Sequence, residues 1–394
     1  MPLVDLRRLI PFVNPAVSSW AVEARLLHWL TLLWLFVGLV MLFSASYPVG
    51  NSYFNDGLYY LKRQLIGILV GLVGFSFVVH TPLCRVLGKA HWYVLFFLGL
   101  IFATMTGAGI SAHGAVRWLP LGSFQIQPSE LIKPFLVLQS ARLFGQWNSL
   151  KWRTRLIWLG IFMLVLFGIL RQPNLSTAAL CGMSIWLMAL AAGIPYLYLS
   201  GAALSGILAG VYSIMKQEYQ RRRILSFLNP WADPMHNGYQ LIQSLLAVGS
   251  GGFWGAGFGL SQQKLFYLPI QYTDFIFAVF AEEFGFIGCM LLLLLLLVYA
   301  TLALMIAMKT QDPVNRLVAV GAMTFMVGQS LLNIGVATGA LPTTGLPFPL
   351  ISYGSNSMIA SLFIAGLLIR VARESSEAEV VSIQERQTVA KLSR

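Results

Sequence analysis

Apolar residues in this chain come in long unbroken runs separated by shorter stretches rich in Gly, Pro, Arg and Lys, and these runs dominate the pattern. A hydrocarbon core of about 30 Å is crossed by a helix of roughly 17–25 apolar residues. Ten runs are counted, near Leu27–Ala45, Leu65–Leu83, Trp92–Thr106, Leu131–Gly145, Leu156–Leu170, Thr177–Ala192, Leu197–Ile214, Phe275–Met305, Leu317–Thr338 and Leu350–Arg370. The fold class predicted is an all-α polytopic membrane protein of ten transmembrane helices with a large outer loop between helices 7 and 8. The expected division is a cytoplasmic tail at 1–26, a ten-helix membrane domain at 27–372 and a cytoplasmic tail at 373–394, polar and disordered. Outer loops fall near 107–129, 215–273 and 339–350.

Composition agrees: 57% of residues are hydrophobic and 10% charged, with mean hydropathy +0.74, whereas a soluble domain carries about 25% charged residues. Cys84, Cys181 and Cys289 show neither paired spacing nor a Cys-x-x-Cys motif, which supports neither a disulfide framework nor a zinc site. The first residues carry Arg7 and Arg8 but no apolar core ending in a cleavage site, so a retained tail is expected.

The net charge of +12 does not imply nucleic acid, because the cations are spread along the connections between apolar spans. With both termini inside, 16 of the 26 Lys and Arg residues fall on the cytoplasmic side, as the positive-inside rule requires. The rest include Arg117, Lys133, Arg221, Arg222, Arg223 and Lys264, in outer loops or near helix ends. That surplus suggests an anionic ligand at the outer face, and for the arginine run an interfacial belt against lipid phosphate is the alternative.

Acids near membrane spans narrow the chemistry. Asp274 opens the eighth span, followed by Glu282 and Glu283. A charge at mid-bilayer costs roughly 2.5–3.5 kcal/mol on insertion scales, so such an acid is by default a functional candidate. The alternative is a carboxylate that only opens a helix, where the N-terminal dipole favours it. Glu282 lies eight residues beyond Asp274, roughly 12 Å along a helix and about 80° round it, so neither glutamate shares a proton with Asp274 directly. The two are expected to pair within the bundle. Glu130 and Lys133, three residues apart after Pro128, share a helix face and can pair, either structurally or at a substrate; Pro134 predicts a kink beside them. The glycines from Gly249 to Gly259 lack the Gly-Lys-Ser/Thr ending of a nucleotide loop and read as a tight re-entrant turn. The segment Gly339–Ser357, broken by Pro342, Gly345, Pro347 and Pro349, is expected to line the same cavity as Asp274.

Several motifs taken together resemble the shape, elongation, division and sporulation (SEDS) family. They are Gln127-Pro128-Ser129-Glu130-Leu131-x-Lys133, Gln172-Pro173-Asn174-Leu175-Ser176-Thr177, Asn229-Pro230-Trp231-x-Asp233-Pro234, Gly238-Tyr239-Gln240-x-x-Gln243-Ser244-Leu245, Tyr267-Leu268-Pro269 through Asp274-Phe275, Glu282-Glu283-x-Gly285 and Leu350-Ile351-Ser352-Tyr353-Gly354. Ser44–Gly50 and Asn229-Pro230-Trp231 lean towards the division branch. Departures from the family pattern fall at Asn174 and Ser176, at Ile270, Gln271 and Tyr272, and at Ser355 and Asn356.

The resemblance implies a ten-helix fold in the bacterial inner membrane, at the division septum, with the active face outward. It also implies polymerisation of lipid II, a polyprenyl-pyrophosphate-linked disaccharide-pentapeptide, into peptidoglycan glycan strands, with a class B penicillin-binding protein as partner. Joined to the residue reading, Asp274 is the candidate base for the attacking sugar hydroxyl in one inverting displacement. Arg117, Lys133, Arg221, Arg222, Arg223 and Lys264 are candidate cations for pyrophosphate, with Glu130 orienting Lys133, and Gln127 and Ser352 as further substrate-binding candidates. No cofactor is demanded; a divalent cation such as Mg2+ beside the pyrophosphate stays open. A lipid II flippase is the reading from another class, since broken helices and intramembrane ion pairs suit transport, and a division scaffold is a third. The polar groups gather at the outer rim, which favours the polymerase.

Overall fold

The computed structural model describes residues 15–112, 115–122 and 124–392. The helices in chain order are α1 (Val22–Phe54), α2 (Tyr59–His80), α3 (Leu83–Ala103), α4 (Pro128–Leu131), α5 (Lys133–Gly145), α6 (Trp152–Arg171), α7 (Leu175–Ala191) and α8 (Tyr196–Lys216). They continue with α9 (Glu218–Leu228), α10 (Tyr239–Ser250), α11 (Ile276–Lys309), α12 (Pro313–Met323), α13 (Gln329–Ala337) and α14 (Ser355–Leu392). Among the described residues eight helical segments are long and apolar enough to cross a membrane. Of the other two stretches predicted to span, α7 has 17 residues and α5 only 13. Beside Pro134, where a kink is expected, the helix is interrupted at Ile132, between α4 and α5.

Small residues let the central helices approach closely, as they do in bilayers where no hydrophobic gain separates helix from lipid. α2 lies along α14, and a Cβ added at Gly67 would come 2.7 Å from the Cβ of Ser355, while one at Gly71 would come 2.6 Å from a methyl of Leu362. Trp34, Phe75, Tyr299 and Phe348 are fully buried at the centre of the same packing.

Polar contacts define two ends. At one, Lys309 pairs with Glu23, and Glu374 accepts the backbone N–H of Leu83 at 2.7 Å, the Arg370 guanidinium at 2.8 Å and the Asn315 amide at 3.3 Å. That end gathers the start of α1, the α2–α3 and α11–α12 turns and the middle of α14. The last helix continues to Leu392, through the segment expected to be a disordered tail.

The opposite end carries the long connections, and two of them are more ordered than expected. Three strands form an antiparallel sheet, β1 (Ile110–Ala112), β2 (Ala115–Leu121) and β3 (Phe124–Ile126), in order β1-β2-β3, with Ile110 opposite Trp118 and Leu119 opposite Ile126. The 215–273 connection packs on the bundle. α10 buries Leu241, Ile242, Ser244 and Ala247, and the Ser244 hydroxyl donates to the Ala337 carbonyl at 2.7 Å.

The glycine-rich turn after α10 has a structural partner. α11 breaks at Gly285, whose φ of 63° and ψ of −163° suit only glycine. The backbone groups freed by the break are satisfied across it. Ala256 and Gly257 donate to the carbonyls of Glu282 and Glu283 at 2.9 and 3.0 Å, and Phe286 and Ile287 donate to those of Gly252 and Phe253 at 2.9 and 3.2 Å. Without that pairing, a broken helix inside the bundle would leave orphaned polar groups.

Candidate functional site

Asp274 lies two residues before α11 and is half-buried. Its segment is fixed by main-chain contacts. The Ser352 hydroxyl donates to the Thr273 carbonyl at 2.5 Å and accepts the Phe348 N–H at 2.8 Å, Tyr353 N–H donates to the Tyr272 carbonyl at 2.9 Å, and the Asn333 amide donates to the Asp274 carbonyl at 2.8 Å. Ser352, expected to bind substrate, is buried and braces this rim instead. The Pro-rich connection does line the acid, as expected. Gly345 has φ +70°, and a Cβ there would stand 3.2 Å from Asp274 Oδ2 and 3.7 and 3.9 Å from the two terminal nitrogens of Arg223. Acid and guanidinium thus face one point.

Arg223 reaches that point from α9. It donates to the Thr343 carbonyl at 3.2 Å and stacks over Tyr219 at 4.5 Å. Arg221 and Arg222 do not join it, because successive helical residues are turned by about 100°. Both are exposed, and Arg222 pairs with Glu218 at 2.5 Å. Arg117 arrives from β2, held by the carbonyls of Gln172 at 3.0 Å and Pro173 at 2.5 Å, so the Gln172–Thr177 motif acts through its backbone. Burial holds the Arg117 guanidinium below its ordinary pKa, and among the nearby charges Tyr219 and Asp274 favour the cation while Arg223 opposes it. Arg117 thus lies within electrostatic reach of Arg223 and Asp274.

The remaining candidates lie in buried ion pairs. Lys133 is 2% exposed and Glu130 3%; they pair at 2.7 Å, and Lys133 also donates to Gln329 Oε1 at 3.1 Å. Gln329 in turn donates to the Pro347 carbonyl at 2.6 Å. The pair thus supports the connection that lines Asp274 from beneath. Gln127 occupies the N-cap position of α4, where its carbonyl accepts the Glu130 N–H at 3.1 Å. Lys264 is not brought to the cluster: it is buried against Glu283 at 2.7 Å and Ser44 at 2.8 Å, because an unpaired Glu283 at that depth would be costly. Glu282 accepts the Ser261 hydroxyl and the N–H groups of Gln262 and Gln263, the latter two at 2.9 and 3.3 Å. Both glutamates therefore tie down the 261–264 segment that leads to Asp274.

Two site residues escaped the sequence reading, Gln329 and Asn333. They lie four apart, on one helix face, and directly follow the π-helical turn at Thr324–Gly328. Their signal was a pair of amides at i, i+4 inside an apolar run. Among the described residues no group of three or more His, Cys, Asp or Glu side chains is placed to hold a metal ion.

A bundle of apolar helices with a charged cluster at one rim, built on non-helical connections, defines a polytopic membrane protein with a polar, charged site at that rim. The sequence profile of the FtsW/RodA/SpoVE cell cycle protein family matches residues 24–377, and the chain belongs to that family. It is 55% identical over 378 residues, 96% of each chain, to a Synechocystis protein named probable peptidoglycan glycosyltransferase FtsW. It is 37% identical over 351 residues, 88% of this chain and 96% of the relative, to stage V sporulation protein E of Bacillus subtilis. Among solved structures, a chain described under the structural coordination of polymerization and crosslinking by a peptidoglycan synthase complex superposes with TM-score 0.71 and 28% identity over 89% of this chain and 97% of that one. The rod shape determining protein RodA of Thermus thermophilus superposes with TM-score 0.65 and 27% identity over 88% and 96%.

Proposed function

We propose that this protein is a peptidoglycan glycosyltransferase of cell division, polymerising lipid II at the outer face of the bacterial inner membrane. The observation that carries the reading is the meeting of Asp274 and Arg223 at Gly345, with Arg117 within electrostatic reach of both. Glycosyl transfer from a polyprenyl pyrophosphate needs a base for the attacking hydroxyl and cations for the leaving group. Asp274 takes the proton from the acceptor sugar hydroxyl as its oxygen attacks the anomeric carbon. The carbon–oxygen bond to pyrophosphate breaks in the same displacement, and the released charge is held by Arg117 and Arg223. The names of the relatives supply the reaction class.

A class B penicillin-binding protein is the proposed partner. Its outer domain fits the 215–273 connection, where Leu228, Trp231 and Met235 are 71%, 63% and 77% exposed. The test is incubation of the purified protein with lipid II, alone and with the partner. Glycan chains are expected, in greater yield with the partner. Lipid II carried across a vesicle membrane without polymerisation would establish the flippase instead.

A further inference from the structure

Beside the acid cluster, between α9, the turn before α10 and the connection preceding α14, lies a cleft of about 480 Å³. Arg222, Arg223, Glu218, Tyr219, Asn237 and Gln240 line it. We propose that this cleft is a subsite for an acidic peptide, the carboxylate-bearing stem peptide of the lipid-linked precursor. Arg222 takes its carboxylate, Arg223 adds positive charge from the edge shared with the Asp274 site, and the side-chain oxygens of Asn237 and Gln240 accept its N–H groups. The inference rests on the glycosyltransferase reading of the neighbouring site and deepens it.

Position is the first argument. Arg223 lines the cleft and also shares the point at Gly345 with Asp274. A precursor whose sugar reaches Asp274 therefore has its substituents within reach of the cleft. Charge is the second: the lining holds two guanidinium groups against one carboxylate, Glu218. The Arg222–Glu218 pair is exposed, with side chains 55% and 64% accessible, and such pairs are worth only about 0.2–1 kcal/mol. An incoming carboxylate opens it at little cost and meets the planar fork that matches its geometry.

The amides supply the third argument. Gln240 donates one amide N–H to the Pro269 carbonyl at 3.2 Å, and Asn237 donates one to Asp233 at 2.7 Å, which orients both side chains. Each keeps its side-chain oxygen as an acceptor for peptide N–H. A neutral sugar fits less well, since it leaves the positive charge unanswered and the Tyr219 ring face is already covered by Arg223. Pyrophosphate belongs at Arg117 and Arg223 beside the acid, and Arg222 points elsewhere on the helix.

The test uses the full chain, wild type and Arg222→Gln, with two precursors: lipid II, and lipid II whose peptide carboxylates are capped as amides. Loss of a charge-assisted contact should raise KM about tenfold for Arg222→Gln on lipid II, with kcat retained. Wild type should show a comparable rise on the amidated precursor, and the variant no further rise there. Calorimetric titration with soluble N-acetylmuramyl-pentapeptide gives a readout independent of turnover, with weaker binding expected for the variant. An equal loss on both precursors, or no saturable binding of the fragment to wild type, overturns the subsite. Fragment binding that depends on Arg222 in a protein making no glycan from either precursor sinks the glycosyltransferase reading and leaves the subsite standing.

Discussion

Asn333 donates from its side-chain amide to the main-chain oxygen of Asp274 and to that of Leu346, both at 2.8 Å. One side chain on α13 thereby ties together the two segments that meet at the acid: the start of α11 and the Pro-rich connection, where a Cβ at Gly345 would stand beside both Asp274 and Arg223.

The first prediction concerns that tie. Asn333→Leu removes both donors in a similar volume and leaves two buried carbonyls without this partner, a penalty of about 1–3 kcal/mol for each unsatisfied group. Turnover should fall more than tenfold per folded molecule, with KM for lipid II changed much less, because the acid moves while the cations stay. Steady-state kinetics on detergent-purified protein checks it. Equal damage to folding yield with normal kcat would make Asn333 a packing residue only.

Lys264 provides the second. As a pyrophosphate ligand it would be missed only in catalysis; as the partner of Glu283 it is missed in folding. Removing one member of a buried pair costs about 3–5 kcal/mol, while replacing both by apolar residues is often neutral. Lys264→Met should lower the thermal midpoint strongly, and Lys264→Met with Glu283→Leu should recover most of it along with glycan synthesis. A double variant that is stable yet inactive would return Lys264 to the substrate.

The reach of the sequence is clearest at these charges. Apolar run length reports spans directly, so α1, α11 and α14 were legible, and the Pro128–Pro134 spacing placed both the kink and the Glu130–Lys133 pair. What run length does not report is which way a side chain turns on a helix whose neighbours are unknown. Arg221, Arg222 and Arg223 are chemically alike, and only packing of α9 against the 343–345 segment selects Arg223. Lys264 is a cation in a glycine-rich stretch until Gly285 breaks α11 and brings Glu283 to it. The strands at 110–126 are short and one contains Pro120, which left the alternation too brief to read. Asn333 was hidden because its bonds go to main-chain oxygens, which carry no residue identity.

A third prediction fixes the orientation. Asn237 and Asn148 are both exposed and lie on loops expected outside and inside; Ser123, another outer position on sequence grounds, falls outside the described residues. In a background without the native cysteines, of which Cys84 is exposed, a cysteine at position 237 should label from outside with an impermeant thiol reagent, and one at 148 should not. Reversed labelling would place the Asp274 cluster in the cytoplasm and contradict synthesis at the outer face.

The last prediction is that Asp274 is the base. Asp274→Asn keeps the shape and, because Asn333 and Ser352 hold its segment through main-chain carbonyls, keeps the position too. It removes the basic oxygen and one negative charge beside Arg117 and Arg223. General-base assistance is worth about 10²–10⁴ in rate, so glycan synthesis should fall by that factor while expression, insertion and partner binding persist. Binding of the precursor should hold or tighten, since two cations lose their internal counter-charge. Turnover per folded molecule separates the assignments: a residue that merely opens α11 would cost stability through the helix dipole, about 0.3–1 kcal/mol, and leave that turnover near normal. Well-folded Asp274→Asn protein that still makes long glycan chains would falsify the base assignment. The base would then have to be another group that reaches the same point at Gly345, and Glu130, Glu282 and Glu283 are each held elsewhere in the bundle by partners of their own.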